Sequence, residues 1–415
     1  MTTRRAVLIQ MPVAAIAGRF ALRARPAFAA GKRVTIGIDM PLTGSDAENA
    51  KFISNGALMA VDEANAAGGV AGYHIDVLML DNGTATAGQY DPAQSASNAR
   101  KMVSDPSVVA ALGPMMSGSG KAMAPILSEG DLATISPSST NPDITDPKFA
   151  SAFRPMGKVI YFRTVTTDAY QGPGMANYIA EILKAKTIYI LDDSSAYGIG
   201  LADAFEGRAR TNGMTVAGRD RLDPQATDYM AILSKVEAHG PEALYFGGTS
   251  EAGIKLAKQS YDVLPKIIKA GGDGVFSAAM LKGAGFPAME GWYVTMASPY
   301  ISANPDVQPW IARYKAKFGP GLSAYSFTAY DAMLVILDSI RRVAEAGKPV
   351  NRSTVRDAIQ AANVKTLQRV VSFDKNGDIA NKVISVFQCR HRPQFADDDV
   401  LHQYQYVGVA PHSSS

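Results

Sequence analysis

The sequence predicts an α/β protein of two Rossmann-like lobes, each built on a parallel sheet. Three observations carry that prediction. Short β-branched runs alternate with helix-length segments from Val34 onward, and strands alternating with helices give parallel sheets covered on both faces. The alternation restarts after Phe162. Finally, the chain has 415 residues, 47% of them hydrophobic, which suits two or three domains of about 100–200 residues with a core each.

Residues 1–30 stand apart from the fold. They contain Arg4, Arg5, Arg19, Arg23 and Arg25 and no acid, with an apolar run from Ala6 to Ala17 and an Ala27-Phe28-Ala29 ending. A basic start, an apolar middle and a small-x-small end are the grammar of a secretory signal peptide. Thr3-Arg4-Arg5-Ala6-Val7-Leu8 also looks like a loose twin-arginine signal. The apolar run is too short for the ~20 residues of a membrane-spanning helix.

Charge and cysteine content exclude other classes. The 41 basic and 38 acidic residues give a formal charge of +3, unlike a nucleic-acid binder with basic charge concentrated on one face. Cys389 is the only cysteine and there are five histidines, so a disulfide framework is excluded and no structural metal site is expected.

The elements follow in order. Residues 34–38 read as a buried strand, 41–55 as a polar loop and 56–65 as a helix ended by Gly68-Gly69. Then come strand 75–80, helix 92–104, strand 108–112, helix 121–128 and strand 132–135, which runs into Ser136-Pro137-Ser138-Ser139-Thr140. In the second half, strand 187–191 precedes a loop at 192–200 and a helix through Arg210. Strand 243–246 ends in Gly247-Gly248-Thr249, and strand 267–270 in Gly271-Gly272-Asp273-Gly274. Residues 374–378 read as a hairpin turn between 371–373 and 383–384.

Signs of catalysis are weak. The histidines are scattered, with no HExxH. Gly113 to Lys121 suggests a phosphate loop, but Met115 stands where the pattern needs Gly and Ala122 where it needs Ser or Thr. Asp374-Lys375-Asn376-Gly377-Asp378 hints at a calcium loop but has Ser385 at the twelfth position. No enzyme is expected.

Ligands in this architecture bind beyond the carboxyl ends of the strands. Ser117-Gly118-Ser119-Gly120 opens a helix there, and Ser138 and Thr140 follow another strand of the same half. Hydroxyls and amides at a helix N-terminus suit a carboxylate or phosphate, although helix capping would account for them too. In the second half Tyr197, Thr249 and Asp273 occupy three strand-end loops. Asp273 between glycines could equally form a turn. Anion-binding hydroxyls on one lobe, with an aromatic and a carboxylate on the other, suit a zwitterion.

These residues make the chain resemble the leucine/isoleucine/valine-binding proteins of bacterial ABC transporters, periplasmic binding proteins of the type I fold. The resemblance spans roughly 34–409. Its markers are Asn55-Gly56, Ala66-Ala67-Gly68-Gly69-Val70-Ala71-Gly72, Ile135-Ser136-Pro137-Ser138-Ser139-Thr140-Asn141-Pro142, Tyr197-Gly198, Phe246-Gly247-Gly248 and Phe373-Asp374-Lys375-Asn376-Gly377-Asp378.

The resemblance implies that Ser117, Ser138 and Thr140 hold a ligand carboxylate. It implies that Asp273, helped by a threonine hydroxyl and the Ser138 carbonyl, meets an α-ammonium, and that Tyr197 covers the ligand. Asn49 stands about where branched-chain binders have a tryptophan, Thr249 where they have a tyrosine, and Met116 replaces a disulfide cysteine. The smaller, more polar wall puts leucine itself in question.

The expectation is therefore an exported, periplasmic, monomeric solute-binding protein without cofactor or metal, presenting an amino acid to a membrane permease. Lobe 1 would comprise 34–166 plus 297–382, and lobe 2 167–296 plus 383–410. The chain would cross between them near 164–167, 296–298 and 381–383. The rival ligand is an aromatic carboxylate or a short amide or urea on the same scaffold; the rival role is a sensory ligand-binding protein.

Overall fold

The computed structural model describes residues 31–411, so the signal-peptide expectation lies outside the described residues. Five strands form the first sheet: β1 (Lys32–Met40), β2 (Tyr73–Asp81), β3 (Val108–Leu112), β4 (Thr134–Ser136) and β5 (Tyr161–Arg163). All its pairings are parallel, in the order β2-β1-β3-β4-β5.

The next five strands repeat that order. They are β6 (Thr187–Asp192), β7 (Thr215–Arg221), β8 (Ala243–Gly247), β9 (Ile268–Gly271) and β10 (Tyr293–Met296), arranged β7-β6-β8-β9-β10. A small antiparallel hairpin, β11 (Asn363–Thr366) and β12 (Arg369–Ser372), follows. The last strands, β13 (Ser385–Cys389) and β14 (Tyr404–Val409), extend the second sheet antiparallel beyond β10. In both five-strand units the order reverses direction beside the first strand, and such switch points open a crevice at the carboxyl ends of the strands.

The central strands explain the packing. Every residue of β3 is buried, as a strand covered on both faces requires. Its side chains divide between two apolar clusters. Val109, Ala110 and Leu112 join the one that contains Ile36, Ile38 and Ala57, while Val108 and Ala111 join the one that contains Met102, Met123 and Leu127.

Two departures from the sequence expectation bear on the packing. The first helix runs over Ala47–Ala66, not 56–65. Ala50, Ile53 and Ala57 are buried along it at the spacing of one helix face, a signal masked by the polar residues between them. Gly56 is internal to this helix, and a Cβ there would run into the Ser326 carbonyl of helix Ala324–Glu345. The glycine permits close helix contact rather than starting the helix.

The second difference is at the expected hairpin. Val371 pairs with Val364, and residues 374–378 form a turn closed by a bridge between Phe373 and Ile379. Asp378 in that turn pairs with the fully buried Arg163 at 2.7 Å.

The stretches around Thr166, Ala297 and Val383 run side by side. Thr166 N donates to Ala297 O at 2.7 Å and Thr166 Oγ1 to Val383 O at 3.1 Å. Ser385 Oγ donates to Ser298 O at 2.8 Å. These bonds tie together the very stretches where the sequence expects the crossings.

Candidate functional site

The carboxyl ends of the two sheets face each other across a cavity of about 60 Å³. Ser45, Asp46 and Asn49 reach it from the segment after β1, Met115, Met116 and Ser117 from that after β3, and Ser138 from that after β4. Tyr197 comes from the segment after β6, Thr249 and Ser250 from that after β8, and Asp273, Gly274 and Ser277 from that after β9. Tyr325, in the first turn of helix Ala324–Glu345, completes the wall. Six of the seven residues singled out from sequence therefore meet in one place.

Thr140 is the exception. It is buried and does not line the cavity; its carbonyl accepts from Asp168 N at 2.9 Å.

One wall suits an anion. Helix Ser117–Glu129 begins beside the cavity with Met116 at its N-cap, so no side chain accepts from its first-turn amides. Unmet amides at a helix N-terminus attract negative charge. The Ser117 hydroxyl accepts from Asn141 N at 3.2 Å and from Ser139 Oγ at 3.4 Å, which leaves its own proton for another acceptor. Ser138 differs: its hydroxyl already donates to Met115 O at 3.0 Å, so toward a guest it serves best as an acceptor.

The opposite wall suits a cation. Asp273 is 5% exposed. Its carboxylate accepts from Tyr197 OH at 2.6 Å, from Gln171 Nε2 at 2.8 Å and from Tyr325 OH. The glycines beside it have a steric cause. A Cβ on Gly272 would lie 2.6 Å from the Tyr197 hydroxyl, and one on Gly274 2.8 Å from the Tyr197 ring. They admit the ring; the competing turn-former explanation is not needed.

Behind this wall lies a second acid. The Gln171 amide donates to Asp168 Oδ1 at 2.8 Å as well as to Asp273, and accepts from Asp273 N at 3.1 Å and Thr295 Oγ1 at 2.9 Å. Burial pushes both carboxyls above the usual carboxylate range, and the charge of Asp273 raises Asp168 further. Two buried acids joined by a neutral amide, with no basic side chain bonded to either, favour an incoming positive charge.

Two bonds cross the cavity region between the sheets. Tyr325 packs with the first unit and donates to Asp273 of the second. Asn141 Nδ2 donates to Ala196 O at 2.9 Å.

Sequence reasoning missed Tyr325, Asp46, Gln171 and Asp168. Tyr325 carried a signal, since Ser323 and Ser326 form a capping box that marks this helix start. Asp168 and Gln171, three apart, share one helix face, but nothing local marks that face as the site's floor.

Two repeated α/β units that hold an anion-seeking wall and a cation-seeking wall across one cavity define a two-lobed cleft-binding protein. The comparisons give its family. The periplasmic binding protein profile matches residues 33–394. A "Leu/Ile/Val-binding protein homolog 3" of Brucella melitensis is 30% identical over 363 residues, covering 87% of this chain and 93% of the relative. A leucine-, isoleucine-, valine-, threonine- and alanine-binding protein of Pseudomonas aeruginosa is 30% identical, covering 86% and 90%.

Among solved structures, a leucine-binding protein from Thermotoga maritima superposes with a TM-score of 0.77 at 23% identity, covering 91% of this chain and 98% of that one. A Rhodopseudomonas palustris solute-binding protein in complex with p-hydroxybenzoic acid gives 0.75 at 17% identity, covering 91% and 97%. The chain belongs to the periplasmic binding protein family, and its fold is the type I fold of that family.

Proposed function

We propose that the chain is the solute-binding component of an ABC importer, working in the periplasm after removal of residues 1–30, and that it binds an α-amino acid between two closing lobes. The observation that carries this reading is the division of polar groups across the cavity. Ser117 and the uncapped helix Ser117–Glu129 lie on one side. Asp273 with Tyr197 lies on the other. A zwitterion satisfies both walls only when they meet, and that differential affinity drives closure.

Residues 34–166 with 297–382 move as one lobe in this reading, and 167–296 with 383–410 as the other. The closed monomer is the form offered to a membrane permease.

The Brucella and Pseudomonas relatives, by name binders of branched-chain and other amino acids, support an amino acid. The p-hydroxybenzoate complex supports the rival aromatic carboxylate on the same scaffold. The cavity wall weighs against that rival, because it presents Asp46 and Asp273 but no Lys, Arg or His, and a carboxylate alone would leave Asp273 buried and unmatched. Mass spectrometry of solute released by denaturing gently isolated protein tests the proposal. An α-amino acid is the expected result, and a solute without an ammonium group would overturn it.

A further inference from the structure

Asp273 has three protein donors and, in the reading above, the α-ammonium. The other carboxylate of the wall, Asp46, is met by the Ser45 hydroxyl alone among the described residues. It occupies the N-cap of helix Ala47–Ala66, where an aspartate ordinarily accepts from first-turn amides. Its backbone lies at φ −95° and ψ −2°, and its side chain makes no capping bond. The carboxylate belongs to the cavity wall instead, one helical turn from Asn49, which lines the same wall.

The charged groups facing Asp46 are acids. Asp193, after β6, and Glu251, in the first turn of helix Ser250–Val263 after β8, act on it from across the cleft. Burial and these two charges push the Asp46 carboxyl up to about 7, against the Ser45 hydroxyl, which lowers it. The Tyr90 phenol is raised, chiefly by burial and also by all three acids.

The two partners differ in satisfaction. Asp193 accepts from Thr249 N, Ser195 N and Ser195 Oγ, whereas Glu251 accepts through Oε1 from Gln225 Nε2 at 2.8 Å and leaves Oε2 buried without a hydrogen-bond partner. Lys255 acts on Glu251, but its ammonium is turned to the Pro224 and Ala226 carbonyls and the Tyr229 ring. Among the described residues no three His, Cys, Asp or Glu side chains are placed to hold a metal ion. Thr249 and Ser250 are small and leave room for the end of an organic guest.

From this geometry we infer that the cavity selects amino acids with a cationic side chain, and that Asp46 is the residue that selects them, with Glu251 opposite. The inference rests on the amino-acid reading and names the side-chain class within it. The α-carboxylate then lies toward Ser117, the α-ammonium toward Asp273, and the second positive centre toward Asp46.

Calorimetry with ornithine, lysine and arginine against the neutral norleucine tests it, on the wild type and on Asp46→Asn. Wild type is expected to bind the best cationic amino acid about tenfold or more tightly than norleucine, the factor that about 1.4 kcal/mol produces. In Asp46→Asn that ratio should collapse to within about threefold. Glu251→Gln, on the other lobe, should lower the ratio in the same direction and covers the case in which Asp46→Asn fails to fold. Norleucine binding as tightly as every cationic amino acid would overturn the inference alone, as would a ratio unmoved in a folded variant. Failure of any α-amino acid to bind would overturn the amino-acid reading and this inference with it.

Discussion

The two halves of the molecule share one strand order, β2-β1-β3-β4-β5 and β7-β6-β8-β9-β10, yet meet the cavity with opposite chemistry. After β3 the first unit presents a serine and a helix start with no capping side chain. After β9, the equivalent of β4 in the repeat, the second presents a buried aspartate held by a tyrosine and a glutamine. The equivalence of the scaffolds does not extend to their loops. A repeated fold fixes where a ligand binds, and the strand-end residues decide what charge each wall offers.

The steepest way to break this contrast is to remove the second wall's charge. Asp273→Ala is expected to weaken amino-acid binding by roughly 2–5 kcal/mol, as truncating one partner of a buried charge pair does. Calorimetry on a folded variant checks it, and an unchanged affinity would mean that no ammonium sits there. Ser117→Ala tests the first wall. Loss of a hydrogen bond to a charged acceptor costs roughly 1.5–3 kcal/mol, and the loss should appear for an amino acid but not for its amide. Thr140→Ala should cost less than Ser117→Ala, because Thr140 does not line the cavity.

A fourth variant probes the scaffold and spares the walls. Gly56→Ala forces a Cβ onto the Ser326 carbonyl, and overpacking of this kind costs typically about 1–3 kcal/mol. Denaturant melts should show the loss of stability, and a melt like the wild type's would show that the two helices can part at little cost.

The smallest expected effect is on pH dependence. Burial pushes the Asp39 and Asp331 carboxyls up to about 6, and burial with the neighbouring acids Glu251 and Asp193 pushes Asp46 up to about 7. An unfolded aspartate titrates near ~3.9, so the folded state holds these protons more tightly. Their stabilising contribution is present in full below that value and is lost as pH rises through about 6 to 7. The melting temperature of ligand-free protein should therefore carry a term that falls from about pH 4 to about pH 7. Asp46→Asn should flatten its upper part, and an unaltered profile in that variant would remove Asp46 as a contributor.

Much of this was legible in the chain. The buried run Val108 to Leu112 and its counterpart Ala243 to Phe246 announced the sheets, because strands covered on both faces are apolar throughout. Ser117, Ser138, Tyr197, Thr249 and Asp273 were found by following strands to their ends. The residues missed lie where that rule does not reach. Tyr325 arrives from a helix packed on the first unit, distant in sequence from every strand end it approaches. Gln171 acts through Asp273, and its role exists only once four hydrogen bonds are assembled around one amide. Thr140 sits in the segment that sequence reasoning chose, but its neighbour in space is Asp168, whose backbone amide donates to its carbonyl.

The central claim is that one ligand joins two walls of opposite preference. Calorimetry on an amino acid shown to bind, its deaminated acid and its amide tests this most directly, each titration paired with small-angle scattering. Losing either the ammonium or the carboxylate should weaken binding by about tenfold or more, and the intact amino acid should shrink the radius of gyration most. A deaminated acid that binds as tightly as the amino acid and compacts the protein equally would contradict the claim.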